Sequence, residues 1–215
     1  AHLVRFGQDP QVVCLSRLAN ALFFLNDPAA ARSTVDEAID LAERVGDRYS
    51  RDIAQIFAAV LAADLSDPAL MVRAVATFRR RPRTGLLLFK TEALLGYVDV
   101  IEGRAAAGIQ RIEEAIRRCG PRNPAPGFIP TLHRLLVGAY DLAGDAAGAL
   151  AAADHALALG GTRLWEPELR RIRHRALAIL GRSAQPHEGD ATPKRRANAR
   201  QTLGRADCRH DHDHQ

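Results

Sequence analysis

Three stretches of this chain space small and apolar residues alike: Ala31-x3-Val35-x2-Ala38, Gly108-x3-Ile112-x2-Ala115 and Ala149-x3-Ala153-x2-Ala156. A leucine precedes each by thirteen positions: Leu18, Leu95 and Leu136. Residues four and seven apart share one face of an α-helix, so each stretch reads as one buried helical stripe. Recurrence at fixed offsets marks stacked helical hairpins, because one hairpin alone cannot bury its apolar face. The repeat constrains the architecture and leaves the partner open.

Composition agrees with helices. Apolar residues make up 47% of the 215 positions, aromatics only 5%, and alanine is abundant; it is the best helix former and lets helices approach closely. β-branched residues are scattered, without sustained alternation of apolar and polar positions. The net charge of +5 comes from arginine, with lysine only at Lys90 and Lys194. Charges of both signs mix along the helices, as in Asp36, Glu37, Asp40, Glu43 and Arg44. That pattern reads as a solvated face rather than a nucleic-acid footprint.

Cys14, Cys119 and Cys208 are an odd number without framework spacing, which points to a reducing compartment and a cytoplasmic protein. The longest apolar run, near Val12 to Leu25, is broken by Ser16, Arg17 and Asn20, so no membrane span is expected. The chain opens at Ala1 with a helix-like segment under way, and its only methionine is Met71. We therefore expect a piece of a larger protein.

Helical spacing predicts a first helix from Gln11 to Leu25 and, after Asn26-Asp27-Pro28, a second to Val45 ended by Gly46-Asp47. Ile53, Ile56, Phe57, Val60 and Leu61 mark the next, and Ser66-Asp67-Pro68 repeats the earlier turn before Val72, Val75 and Phe78. A third pair covers Leu86 to Ile101 and Ala105 to Cys119. After a Pro- and Gly-rich loop from Gly120 to Pro130, a fourth covers Thr131 to Leu142 and Ala146 to Leu159. A last helix, Leu164 to Leu180, is suited to cap the array. Asp27, Asp67, Arg104 and Asp145 fall in register at steps of 40, 37 and 41 residues. The expected fold is all-α: a right-handed solenoid of about four hairpins over residues 1–181. The tail, 182–215, has Leu203 as its only large aliphatic residue after Ser183 and is expected to be disordered.

The within-repeat offsets resemble the tetratricopeptide pattern, through Leu95-Gly96 with Gly108, Ile112 and Ala115, and through Leu136 and Tyr140 with Ala149, Ala153 and Ala156. The opening tryptophan of that pattern is missing, Asp99 replaces an aromatic, and the second repeat keeps only Met71, Val75 and Phe78. Phe6-Gly7-Gln8-Asp9-Pro10, Cys14-Leu15-Ser16 and Trp165-Glu166-Pro167-Glu168-Leu169-x2-Ile172-Arg173 resemble the C-terminal repeat region of bacterial signal-transducing ATPase regulators. In those chains LuxR-type or nucleotide-cyclase outputs are joined to an ATPase core, and the repeats serve as sensor or autoinhibitory arm. The resemblance implies an ATPase core elsewhere in a parent chain. This chain contains no Gly-x4-Gly-Lys-Ser/Thr phosphate loop.

The same resemblance implies that Arg17, Asn20, Lys90, Tyr97, Thr131, Arg134 and Asp141 face the concave wall and contact a protein or peptide partner. Amide and cationic groups there suit backbone or carboxylate groups of an extended ligand. The competing assignment makes them merely solvated, or turned toward the parent chain. Arg79 to Arg83, and Arg170, Arg171, Arg173 and Arg175, are the basis of an alternative, a nucleic-acid-binding transcriptional regulator fragment. Arg79 to Arg83 lack interleaved aromatics for base stacking. Cys208, His210, His212 and His214 can hold Zn²⁺ or Ni²⁺ only loosely without a supporting shell, so no specific metal and no cofactor is expected. Cys14 and Cys119 read as inert packing groups and His133, His155 and His174 as isolated. No nucleophile elbow or spaced acid–base pair is present, and we expect no enzyme.

Overall fold

Four tight turns built on one backbone device organise the chain. In a computed structural model that describes residues 8–80, 87–119, 128–159 and 163–183, the helices are α1 (Pro10–Phe24), α2 (Pro28–Val45), α3 (Arg48–Asp64), α4 (Pro68–Arg80), α5 (Leu88–Ile101), α6 (Ala105–Cys119), α7 (Ile129–Leu142), α8 (Ala146–Leu159) and α9 (Glu166–Ser183). The described residues contain no strand. They belong to one compact unit, Ala1–Ala184. None of the described helices is long and apolar enough to cross a membrane.

Within each of the first four hairpins the chain reverses through a left-handed residue: Asn26 (φ 64°), Ser66 (φ 53°), Gly103 (φ 85°) and Gly144 (φ 73°). The amide of that residue donates three positions back, as Asn26 does to Phe23 O at 2.9 Å, and the next amide donates five back, as Asp27 does to Leu22 O at 2.9 Å. The same pair of bonds recurs at Ser66 and Asp67, Gly103 and Arg104, and Gly144 and Asp145, satisfying carbonyls that a helix end leaves open. The second turn residue then caps the following helix. Asp27, Asp67 and Asp145 accept from the amides of Ala30, Leu70 and Gly148 at 3.0, 3.0 and 2.8 Å. Arg104 has no acceptor to offer and instead pairs with Asp99 and Glu102. Hydrogen bonds from Arg79 and Arg104 hold the Glu102 carboxyl down to about 2.

Ser66 carries a Cβ in a conformation that glycine adopts without cost. Ser66→Gly is therefore expected to stabilise the protein by about 1 kcal/mol, raising the thermal midpoint by about 2–4 °C. A calorimetric scan showing no rise would remove the strain from this turn.

Consecutive helices pack on one another, and α1 on α3, α3 on α5, α5 on α7 and α7 on α9 pack as well. The odd-numbered helices therefore form a contiguous layer, while the even-numbered ones pack chiefly on their sequence neighbours. Burial follows this arrangement. In α3, α5 and α7 long runs of consecutive residues are buried, such as Ala58 to Ala63, whereas α2, α6 and α8 each bury one stripe. Those stripes are the repeated residues themselves: Ala31, Val35 and Ala38; Gly108, Ile112 and Ala115; Ala149, Ala153 and Ala156. Met71, Val75 and Phe78 occupy the same offsets on α4 and are equally buried.

The helices of the third hairpin touch backbone to backbone. A Cβ on Gly96 would lie 2.6 Å from Gly108 O, and one on Gly108 would lie 2.4 Å from Gly96 O and 2.9 Å from Val100 N.

Some expectations need adjusting. Of the three leucines, Leu95 and Leu136 are buried, but Leu18 is 47% exposed, because no described helix precedes α1 to cover it. The loop expected to reach Pro130 ends sooner, since Ile129 already opens α7 and Pro130 fits its first turn. The last helix begins at Glu166, with Leu164 left in the preceding turn, and continues to Ser183. Cys119 is buried as expected, whereas Cys14 is exposed. Residues 184–215, with Cys208, His210, His212 and His214, lie outside the described residues.

Candidate functional site

The layer of odd-numbered helices carries a half-open cavity of about 570 Å³. One helical stripe on α1 supplies Val13, Arg17, Asn20, Ala21 and Phe24; a second, on α3, supplies Tyr49, Ile53, Phe57 and Val60. Lys90 comes from the first turn of α5, and Phe128 and Thr131 from the start of α7. Gln8, Leu164 and Trp165 complete the lining. Of the helices that line it, α3, α5 and α7 are packed on neighbours to either side, which holds their side chains in position and suits a binding site.

The charged groups of this lining are both cations. The Arg17 guanidinium lies 5.2 Å from the centroid of the Phe57 ring, and the Lys90 ammonium 4.3 Å from that of Phe128. These are cation–π distances. Neither cation has a carboxylate partner within 4 Å among the described residues, although most described arginines do, as in Arg32–Asp67, Arg73–Asp36, Arg79–Glu102 and Arg111–Glu92. Burial first, and then the charge of Arg17, hold the Lys90 ammonium below the usual lysine range. The Asn20 amide donates to Ser16 O at 3.1 Å and across to Phe57 O at 3.2 Å, fixing the stripe of α1 against α3.

Comparison of the chain with protein-family models, curated proteins and solved structures found no match.

Behind the cavity lies a buried polar junction. Trp165 donates its indole N–H to Asp64 Oδ1 at 3.1 Å while its ring meets Phe24 edge-on at 5.8 Å. Arg134 Nη2 lies 3.1 Å from the same Asp64 oxygen and donates to Ala63 O at 2.9 Å. The Asp64 and Arg134 side chains are only 1% and 8% exposed. Asp64 Oδ2 has no hydrogen-bond partner among the described residues. Burial pushes the Asp64 carboxyl up to about 6, although the Arg134 charge and the indole hydrogen bond both pull it down.

Asp64 sits directly on the chain's single tryptophan. The emission of Trp165 is therefore expected to change with an inflection near pH 6, and Asp64→Asn to abolish that inflection. A wild-type profile flat between pH 5 and 7 would contradict the junction.

The seven residues expected at the concave wall separate into groups. Arg17, Asn20, Lys90 and Thr131 line the cavity together. Arg134 belongs to the buried junction. Tyr97 lines a different cavity of about 330 Å³, with Asp67, Met71 and Leu142, and burial pushes its phenol up. Asp141 pairs with Arg175 of α9. The sequence reading missed Phe24, Tyr49, Phe57, Phe128 and Trp165 on the lining, and Asp64 behind it. The available signal was the spacing of Arg17, Asn20, Ala21 and Phe24, which puts an arginine, an amide and an aromatic on one helical face.

His133 and His155 are not isolated. They face one another across the α7–α8 hairpin, ring centroids 5.0 Å apart, beside a cavity of about 310 Å³ that also includes Glu113 and Tyr140. Burial, then the charge of His155, lowers the His133 imidazole. Among the described residues no group of three or more His, Cys, Asp or Glu side chains is placed to hold a metal.

Proposed function

We propose that the chain is a non-catalytic, tetratricopeptide-like repeat module, a solenoid of four hairpins and a capping helix, that binds a protein or peptide partner. The observation that carries this reading is the convergence of Arg17, Asn20, Lys90 and Thr131, from three different helices, on one aromatic-lined cavity. Donors on an apolar wall suit an extended chain, whose carbonyls and carboxylates they would meet while its side chains fill the apolar floor.

The repeated turns and the stripes of α2, α4, α6 and α8 support the solenoid reading. The role of sensor or autoinhibitory arm in a bacterial ATPase-type regulator rests on the resemblance of Cys14-Leu15-Ser16 and the segment from Trp165 to Arg173; Phe6 and Gly7 lie outside the described residues. In such an arm, partner binding would shift the regulator between resting and active states. The nucleic-acid reading has weaker support. Arg170, Arg171, Arg173 and Arg175 face Glu166, Glu168, Asp154 and Asp141, and Arg79 faces Glu102.

Selection of a displayed random-peptide library on the full chain tests the proposal. The expected result is an enriched peptide class whose binding is lost in the double variant Asn20→Ala, Lys90→Ala. Failure to enrich, together with retention of duplex DNA at about 100 mM salt, would favour the nucleic-acid reading instead.

A further inference from the structure

We propose that the aromatic cavity between α1, α3, α5 and α7 is a receptor site for a small organic acid, a single carboxylate on a compact aryl or medium-chain alkyl body. The inference rests on reading the chain as a non-catalytic recognition module and names the signal that module receives.

Charge is the first observation. Arg17 and Lys90 both line the cavity, each lies over an aromatic ring, and neither meets a carboxylate among the described residues. Elsewhere most of the described arginines are matched to acids on neighbouring turns or helices, including every one of Arg170, Arg171, Arg173 and Arg175. Lys90 is half-buried and Arg17 is exposed; two like charges lining one site oppose each other, and an anion bound by both would relieve that repulsion. The segments that adjoin the lining in sequence, 1–7, 120–127 and 160–162, contain no Asp or Glu to serve instead.

Size and surface are the second. About 570 Å³ falls within the range of small-molecule sites. Apart from Gln8, Asn20, Tyr49 and Thr131 the remaining wall is apolar and aromatic, with Phe24, Phe57, Phe128 and Trp165 among its residues, so it would receive a hydrocarbon body while the cations receive the head. A phosphate or a dicarboxylate would use the cations but leave this wall uncovered. A neutral hydrocarbon would leave the cations unmatched.

The chain carries its own reporter, since Trp165 is the only tryptophan and lies on the cavity wall. The experiment titrates the full chain with octanoate and with 4-phenylbutyrate, following Trp165 emission, against octanamide and 4-phenylbutyramide as neutral matches. The acids are expected to bind at least about tenfold more tightly than their amides, as a charge-assisted contact requires. Arg17→Gln and Lys90→Gln are each expected to weaken the acids by about tenfold and leave the amides unchanged. Lys90→Arg should retain binding, and Arg170→Gln, exposed on α9 and outside the lining, should have no effect.

The comparison of acid with amide needs no variant, so a misfolded substitution cannot obscure the answer. Equal affinity of acid and amide would overturn the inference, as would the absence of any change in emission up to about 1 mM acid. A short peptide with a free C-terminal Phe that binds more tightly than 4-phenylbutyrate would overturn the assignment to a small acid. Octanoate binding that persists when peptide selection yields nothing would support this inference while removing the peptide reading.

Discussion

Gly108→Ala is expected to destabilise the protein by roughly 3 kcal/mol, lowering its thermal midpoint by about 6–12 °C. In an ordinary helix interior the same change would stabilise by close to 1 kcal/mol, because alanine is the better helix former. Here the added methyl would sit 2.4 Å from Gly96 O, 2.7 Å from Val100 Cγ2 and 2.9 Å from Val100 N. Two of those atoms are backbone, so relief requires α5 and α6 to move apart, and with them the buried side chains of the third hairpin. The steric term therefore decides the sign. Gly181→Ala provides the comparison: its Cβ would meet nothing within 4 Å, and it should leave the midpoint unchanged or raise it. If Gly108→Ala melts within about 2 °C of wild type, the helices do not approach as described.

Arg134→Ala should be the most damaging single change at the buried junction, costing about 3–5 kcal/mol at pH 8, because it leaves Asp64 without its counter-charge in a site closed to water. The cost should shrink at pH 5. Asp64 has its carboxyl raised from 3.8 to about 6, so its stabilising contribution is complete below 3.8 and is lost as pH rises through 6. Removing Arg134 pushes that carboxyl further up, and the penalty is greatest where the ionised form is demanded. Urea unfolding at pH 5 and pH 8 separates the two conditions, and an equal loss at both would show that packing, not charge, is responsible. The double variant Asp64→Leu, Arg134→Met should recover most of the stability, since an apolar pair of similar size fills the site without desolvating ions.

The helical layer was legible because its grammar is local. The triplets beginning at Ala31, Gly108 and Ala149 mark a face by spacing alone, and the register of Asp27, Asp67, Arg104 and Asp145 marks the turns at which equivalent hydrogen bonds form. Even the weakest repeat, Met71, Val75 and Phe78, keeps the offsets that the packing uses. The cavity was only half legible for the opposite reason. Arg17 and Asn20 share a stripe within one helix, but their neighbours Phe57, Phe128 and Trp165 come from three other segments, and no offset connects them. Arg134 shows the limit from the other side. An arginine on the exposed phase of an inferred repeat lies 8% exposed because Asp64 waits for it two hairpins earlier, and nothing local to either residue announces the pairing.

The edge-on contact of Phe24 with Trp165 and the indole bond to Asp64 join the ends of α1 and α3 to the segment that opens α9. A row of hairpins tied only to their neighbours melts inward from its tips, each unit fraying on its own account. Here the two extremities share a clasp. Loosening α1 takes the Phe24 ring from Trp165, and loosening the start of α9 takes the indole N–H from Asp64, which keeps Arg134, so the opening of one extremity is coupled to that of the other.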